Sequence, residues 1–250
     1  MKRDFLVYIQ RGTIVSWGST AVGDLRHTDD HPTKSGVTGQ LCAALGIERS
    51  EEDLVRLMSQ SYGFATIVDR AGELLRDYHT IRTPNEIPGF EYQTRADEIR
   101  FGGKKRKLNT IISTRDYRTG TIARIAIWVR DPETAPCSLE YIAEALAYPV
   151  FTLCIGRKSC PFSLPPQPKV VKAETLMDAF RSVKFTGLDK VKEVLPLDQR
   201  ATIYWEEGVE AGVDPQYVHN RNDQILSRKR WQFVSRKECR ATIPLEEGGR

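Results

Sequence analysis

Apolar positions along this chain fall into short runs separated by polar turns, and two periods alternate. Residues 5–10, FLVYIQ, form a β-branched and aromatic run that predicts a buried strand. Val37, Leu41, Ala44 and Leu45 recur at helical spacing in SGVTGQLCAALG, and Gly46 stands where such a helix would stop. A second helix is predicted from Ser50, with Asp53 three residues on as a short-acid capping box and Leu54, Leu57 and Met58 on its apolar face. Residues 64–70 and 73–81 read as strands joined by a tight Ala71-Gly72 turn, and 121–129, TIARIAIWV, as another. Ser138 is placed to cap a helix carrying Leu139, Ile142, Ala143 and Leu146, which Pro149 ends. Residues 150–155, VFTLCI, read as a further strand leading into the turn GRKSCP.

The order strand, helices, two strands, excursion, strand, helix, strand is close to the βαββαβ pattern of ferredoxin-like, RNA-recognition domains. The expected fold class is therefore α+β, a ferredoxin-like body over residues 1–165. The excursion, about residues 82–120, is too long for an ordinary connection. Within it, residues 95–118 carry eight cations against three acids. Gly102-Gly103 can turn the chain and LNTIIST has strand composition, so a basic β-hairpin arm is expected. After SLPPQPK the composition shifts, and residues 166–250 are expected to form a smaller C-terminal subdomain. It has a helix near 174–183, strands at 202–207 and 230–236, and a second basic cluster of Arg228, Lys229, Arg230, Arg236, Lys237 and Arg240.

Charge refines this picture more than bulk composition does. The chain has 250 residues and a net charge of +4, 40% of it hydrophobic and 28% charged, which suits a water-soluble domain with one substantial core. No run approaches the roughly 18 apolar residues of a membrane helix. MKRDFLVYIQ reads as a first strand and not a signal peptide, so no membrane partner and a cytoplasmic location are expected. Five cysteines, with no CxxC pair, favour neither a disulfide framework nor a zinc site, and no cofactor is expected.

Four stretches carry candidate chemistry. HPTKSGVTGQL opens a helix with Lys34 and Ser35, but a Walker A loop needs glycine where Thr33 stands. What remains is either a phosphate site at a helix N-terminus or an ordinary capped helix. In SWGSTAVGDLRHTDDH, Trp17 beside Gly18 can stack a base or pack in the core, Arg26 and His27 add polar groups near Lys34, and His31 before Pro32 is either a general acid or base or an ordinary hydrogen-bonding group. In GRKSCP, Gly156 permits a close backbone approach, Arg157 and Lys158 supply charge, and Ser159 and Cys160 offer backbone N–H groups. Together these form either a nest for an anionic backbone or a solvated turn. The arm interleaves cations, among them Arg106, Lys107 and Arg115, with groups such as Tyr117 that can stack or wedge, a mixture suited to single-stranded nucleic acid.

The HPxKS…G…LGI helix start together with GRKSCP, across about residues 4–166, resembles the fifth CRISPR-associated (Cas) protein family, in the form found as the CasD-type subunit of type I-E Cascade. The resemblance implies a ferredoxin-like body, an arched β-hairpin thumb and a C-terminal subdomain. It implies a non-catalytic subunit that caps the 5′ handle of the crRNA, contacts Cascade backbone subunits and the large subunit, and meets target DNA only through the complex. By motif it makes Trp17, Gly18, His31, Lys34, Ser35, Gly156, Arg157, Lys158, Ser159 and Cys160 handle-binding candidates. Arg26, Arg106, Lys107, Arg115 and Tyr117 join them on composition. Some relatives cut precursor crRNA without metal, and His31, Lys34 and Tyr117 are the parts such chemistry would use here. A generic RNA-binding domain is a third reading, but the usual aromatic strand motif of those domains is missing.

Overall fold

In a computed structural model of the chain, the described residues are 2–18, 23–85, 88–89, 91–102, 108–195 and 197–244. Nine strands, β1 (Arg3–Val15), β2 (Leu25–Arg26), β3 (Tyr62–Arg70), β4 (Glu73–Thr83), β5 (Asn109–Val129), β6 (Lys169–Ala173), β7 (Arg200–Glu206), β8 (Tyr217–Ser227) and β9 (Gln232–Pro244), form one sheet. Among the described residues six helices accompany them: α1 (Lys34–Leu45), α2 (Glu52–Ser61), α3 (Arg95–Gly102), α4 (Leu139–Ala147), α5 (Leu176–Ser182) and α6 (Leu188–Val194). The main path of the sheet is β6-β1-β5-β3-β7-β9-β8, with β2 and β4 both joined to β5.

The unbroken apolar run of β1 has a direct cause: both faces of its strand are covered. Phe5, Val7 and Ile9 enter one core with Leu176, Phe180 and Leu188 of α5 and α6. Leu6 and Tyr8 enter the other with Val37, Leu41, Val55, Met58, Leu139 and Ile142 of α1, α2 and α4. A strand buried on both faces cannot alternate apolar with polar. The helix ends follow the expected chemistry in two cases. Gly46 closes α1 in the left-handed region at φ 76°, and the Ser138 hydroxyl accepts from the Tyr141 N–H at 3.2 Å at the start of α4. Ser50 does not cap α2: the N-cap is Glu51, and the Ser50 hydroxyl turns to Glu48 at 3.3 Å.

Strand β5 does two jobs. Its second half pairs with β1 and β3 inside the body, and its first half pairs with β4 from Glu73↔Thr119 out to Thr83↔Asn109. This two-stranded ribbon, called the arm below, takes as its first strand residues 73–83, which lie almost wholly before the 82–120 excursion where the arm was expected. It leaves the body at Gly72, φ 71°, where a β-carbon would overlap the Thr119 carbonyl oxygen. Beyond it the chain forms α3, so Gly102 ends a helix and does not by itself make a hairpin turn. Gly103 lies outside the described residues, as do Arg106 and Lys107.

One expected strand is absent. Residues 150–155 run as irregular chain, with a single bridge between Cys154 and Pro161. The N–H groups of Val150 and Phe151 donate to Ala44 and Ala43, the terminal carbonyls of α1, at 3.0 Å each. Helix ends leave such carbonyls unsatisfied, and here they capture the segment before it can join a sheet. The position beside β1 goes instead to β6, antiparallel, from Arg3↔Ala173 to Val7↔Lys169. Strands β7, β9 and β8 extend the same sheet outward from β3.

Candidate nucleic-acid interface

Residues 155–161 form a loop tied at both ends. The Ile155 N–H donates to the Cys160 carbonyl at 2.7 Å and the Cys160 N–H to the Arg157 carbonyl at 2.9 Å. The Ser16 N–H donates to the Ile155 carbonyl at 3.1 Å, fixing the loop to the end of β1. Gly156 adopts φ 89°, and a β-carbon there would overlap the Ser16 carbonyl oxygen. Glycine is thus required twice, by conformation and by close approach of the two backbones. Cys160 is fully buried, and its N–H is already used within the loop. Lys158 and Ser159 face solvent.

Arg157 joins this loop to the base of the arm. Its guanidinium donates to the Asp116 carbonyl at 3.1 Å and to the Arg26 carbonyl at 3.0 Å, and lies 4.6 Å over the Tyr117 ring. Both acceptors are neutral carbonyls and leave the positive charge uncompensated. Arg115 sits on β5 opposite Asp77 of β4 and beside Arg26 of β2. Underneath, the buried Asp116 carboxylate accepts from Arg76 Nε at 2.8 Å and contacts His27 Nδ1 at 2.9 Å. The Arg76 hydrogen bond is the main force holding the Asp116 pKa below its ordinary value. Arg157 and Lys158 therefore lie with Tyr117 and Arg115 on one face of the ribbon's base, beside Arg26, while Arg76 and His27 hold Asp116 on its other face.

The helix start at Lys34 has a different character. Thr33 caps it, its hydroxyl accepting from the Gly36 N–H at 3.1 Å, and the Lys34 N–H donates to Asp223 Oδ2 at 2.8 Å. An internal carboxylate thus occupies the place where a phosphate was considered. The Lys34 ammonium is 2% exposed and lies 2.9 Å from Glu206 Oε1. Burial pulls its pKa down to about 8 against the opposing pull of Glu206. His31 bridges Asp30 at 2.5 Å and Glu238 at 2.8 Å while stacking flat on Tyr204, with ring centroids 3.6 Å apart. Arg236 joins Asp223 and Glu238, and Arg130 reaches Glu206. This is a buried charge network clamping α1 to β7, β8 and β9. Ser35 lies beside it, half-buried, its hydroxyl 3.4 Å from that of Thr33. Trp17 is core, packed with Val15, Ala123 and Ile155, while Gly18 is exposed at φ 55°.

A family model described as CRISPR-associated protein (Cas_Cas5) matches residues 5–239. The chain belongs to the Cas5 family of CRISPR-associated proteins. It is 30% identical, over 171 residues, to the CRISPR system Cascade subunit CasD of Escherichia coli (strain K12), spanning 65% of this chain and 69% of that protein. Two solved structures share the fold. One, described as a CRISPR RNA-guided surveillance complex, aligns with a TM-score of 0.60 at 21% identity over 96% of this chain and 90% of its own. The other, a Cas protein crystal structure, gives a TM-score of 0.57 at 23% identity over 96% and 95%.

In this Cas5 chain most candidate residues fall into two groups; Trp17 and Gly18 join neither, and Arg106 and Lys107 lie outside the described residues. Gly156, Arg157, Lys158, Ser159, Cys160, Arg26, Arg115 and Tyr117 meet at one corner. His31, Lys34 and Ser35 belong to the buried clamp and its edge. Sequence reasoning missed Arg76 and His27 as the partners of Asp116 beneath the corner, and Asp223, Glu206 and Glu238 as partners of α1. Of the acids that partner α1 only Glu238 carried a local signal, as a lone acid among Arg236, Lys237 and Arg240. Among the described residues no group of three or more His, Cys, Asp or Glu side chains is arranged to hold a metal. No helix there is long and apolar enough to cross a membrane.

Proposed function

We propose that this chain is a Cascade-type subunit that grips the 5′ handle of a guide RNA at the 156–160 corner without cutting it. The observation that carries the reading is the loop itself. Lys158 and Ser159 stand in solvent on a backbone pinned to Ser16, flanked by Arg157 and Arg26, whose guanidinium groups meet no carboxylate among the described residues. A rigid cationic corner suits the bent backbone of an RNA end, which proteins read by shape and phosphate contact. The relative named as a Cascade subunit supports the same assignment.

The finer architecture belongs to this proposal. The order β6-β1-β5-β3, with α1 and α4 on one face, fits a ferredoxin-like body in which β6 serves as the last strand. The β4–β5 ribbon acts as the thumb. With the body at residues 1–165 and a C-terminal subdomain at 166–250, β6 is a strand that the second unit lends to the first, and β7, β9 and β8 extend the same sheet. The partners are crRNA, Cascade backbone subunits and the large subunit in the cytoplasm, with target DNA reached through the complex. The enclosure of His31 and Lys34 in ion pairs supports a non-catalytic role, since neither is free to reach a scissile phosphate.

The test is incubation of the purified protein with repeat RNA and with mature guide RNA in EDTA. Salt-sensitive binding of the mature guide without discrete cleavage products is expected. Discrete products that vanish in His31→Ala or Lys34→Ala variants of intact fold would overturn the reading.

A further inference from the structure

The hairpin joining β8 to β9 contains a feature that the corner does not use. Trp231 adopts φ 53°, a left-handed conformation that large side chains rarely take, and it is 55% exposed. Glycine or asparagine is the ordinary occupant of such a position in a turn. The turn is closed locally, by the Arg230 N–H to the Ser227 hydroxyl at 3.1 Å and the Trp231 N–H to the Arg228 carbonyl at 3.4 Å. None of this requires an indole. What the indole does is hold two guanidinium groups. Arg49, from the α1–α2 turn, lies 4.2 Å from the ring centroid and Arg228 lies 4.4 Å from it. Arg49 also donates to the Arg228 carbonyl at 3.5 Å.

Two like charges are thereby gathered on one exposed ring, and Lys229 and Arg230 extend from the same turn. Among the described residues no carboxylate lies within ion-pair distance of these four cations. Burial and the neighbouring Arg49 charge push the Arg228 pKa down. An aromatic platform that holds arginines together against their own repulsion, with no internal anion, is arranged for an external one. The place is also remote from the corner. The arm leaves the sheet near Val15↔Arg118, whereas β9 passes Glu206↔Glu238 and continues away from the arm to Gln232. Those further residues span roughly 20 Å at strand rise.

We propose that Arg49, Arg228, Lys229, Arg230 and Trp231 form a second nucleic-acid site, which takes a phosphodiester backbone at the opposite end of the sheet from the 156–160 corner. A projecting tip with several cations fits an extended backbone better than an enclosed small anion, and it reads charge without sequence.

The test is fluorescence anisotropy of the purified full chain with three labelled probes, oligodeoxythymidylate, oligouridylate and a DNA duplex, across a salt series. The variant Arg49→Ala/Arg228→Ala is expected to bind at least one probe roughly tenfold more weakly, with a log–log salt slope shallower by about 1.4 for single strands or about 1.8 for duplex. The probe most affected identifies the source of the backbone. Trp231→Gly is the second variant. It removes the platform and relieves the backbone, so affinity falls while the melting temperature holds or rises. Lys158→Ala, run in parallel, reports on the corner. Tip variants that bind all three probes like the parent overturn the proposal, whatever Lys158→Ala does. A Trp231→Gly chain that melts lower with unchanged affinity overturns it equally, because the indole would then serve stability.

Discussion

Gly156 lies against Ser16 so closely that the two backbones leave no room for a side chain between them. The contact links the end of β1 to the loop that presents Lys158 and Ser159. Gly156→Ala must both enter a left-handed conformation and push the loop away from the Ser16 backbone. It is expected to cost at least about 2 kcal/mol and to loosen the loop. Thermal melting, combined with amide exchange at residues 156–160, measures it; a chain of unchanged stability and protection would show that the contact is slack.

Arg157 and Lys158, adjacent in sequence, are expected to respond differently. Lys158 is exposed, so Lys158→Ala should leave stability within about 0.5 kcal/mol. Its binding slope against salt should fall by about 0.7 on single-stranded guide RNA. Arg157 also ties the Arg26 and Asp116 carbonyls together, so Arg157→Ala should lose affinity and stability together. Paired melts and salt titrations separate the two, and equal stability losses would contradict the division.

Acid should open the clamp on α1. Burial pushes the Glu238 pKa up, but the His31 hydrogen bond and the charges of His31, Arg236 and Arg221 outweigh it and hold the carboxyl at about 2, against an ordinary 4.5. His219 Nε2 also lies near it at 3.3 Å. The unfolded chain therefore binds more protons than the folded one between those values. The contribution, on the order of 3 kcal/mol, is complete above about pH 4.5 and is lost as pH falls toward 2. Glu238→Gln should flatten the acid limb of the stability curve while costing about 3–5 kcal/mol at neutral pH. A parallel acid limb in the variant would place the titration elsewhere.

The ribbon should serve assembly and not folding. Leu74, Tyr78 and Ile112 share one face of β4 and β5 by register and are exposed. Exposed apolar surface of this kind marks an interaction site. Leu74→Ser with Ile112→Ser is expected to leave the melting temperature within a few degrees and to lower the yield of assembled complex on co-purification. A folded variant that assembles at parental yield would assign that face no role.

Particular residues show what the sequence could and could not reveal. The FLVYIQ strand was legible because burial on both faces gives an unbroken apolar run, and α1 because Val37, Leu41 and Ala44 keep helical spacing up to the Gly46 stop. The VFTLCI run was misread because its fate depends on the free carbonyls of Ala43 and Ala44, which compete for the N–H groups a strand would need. Strand β8 was invisible: YVHNRND has no apolar period, since its exposed half is an edge and its polar side chains serve the clamp. Lys34 looked like a phosphate ligand because its carboxylate partner arrives from β7, far along the chain. The GRKSCP loop was legible as chemistry because its requirements are local: a glycine that must be glycine, and two cations beside it.

The most direct test of the central claim is crosslinking from residue 158. A photoreactive amino acid at Lys158, in a complex assembled on guide RNA, is expected to crosslink to the 5′ handle, whereas the same group at Val194, exposed on α6, should not. Crosslinks from position 158 to protein alone, with the handle captured by a different subunit, would contradict it.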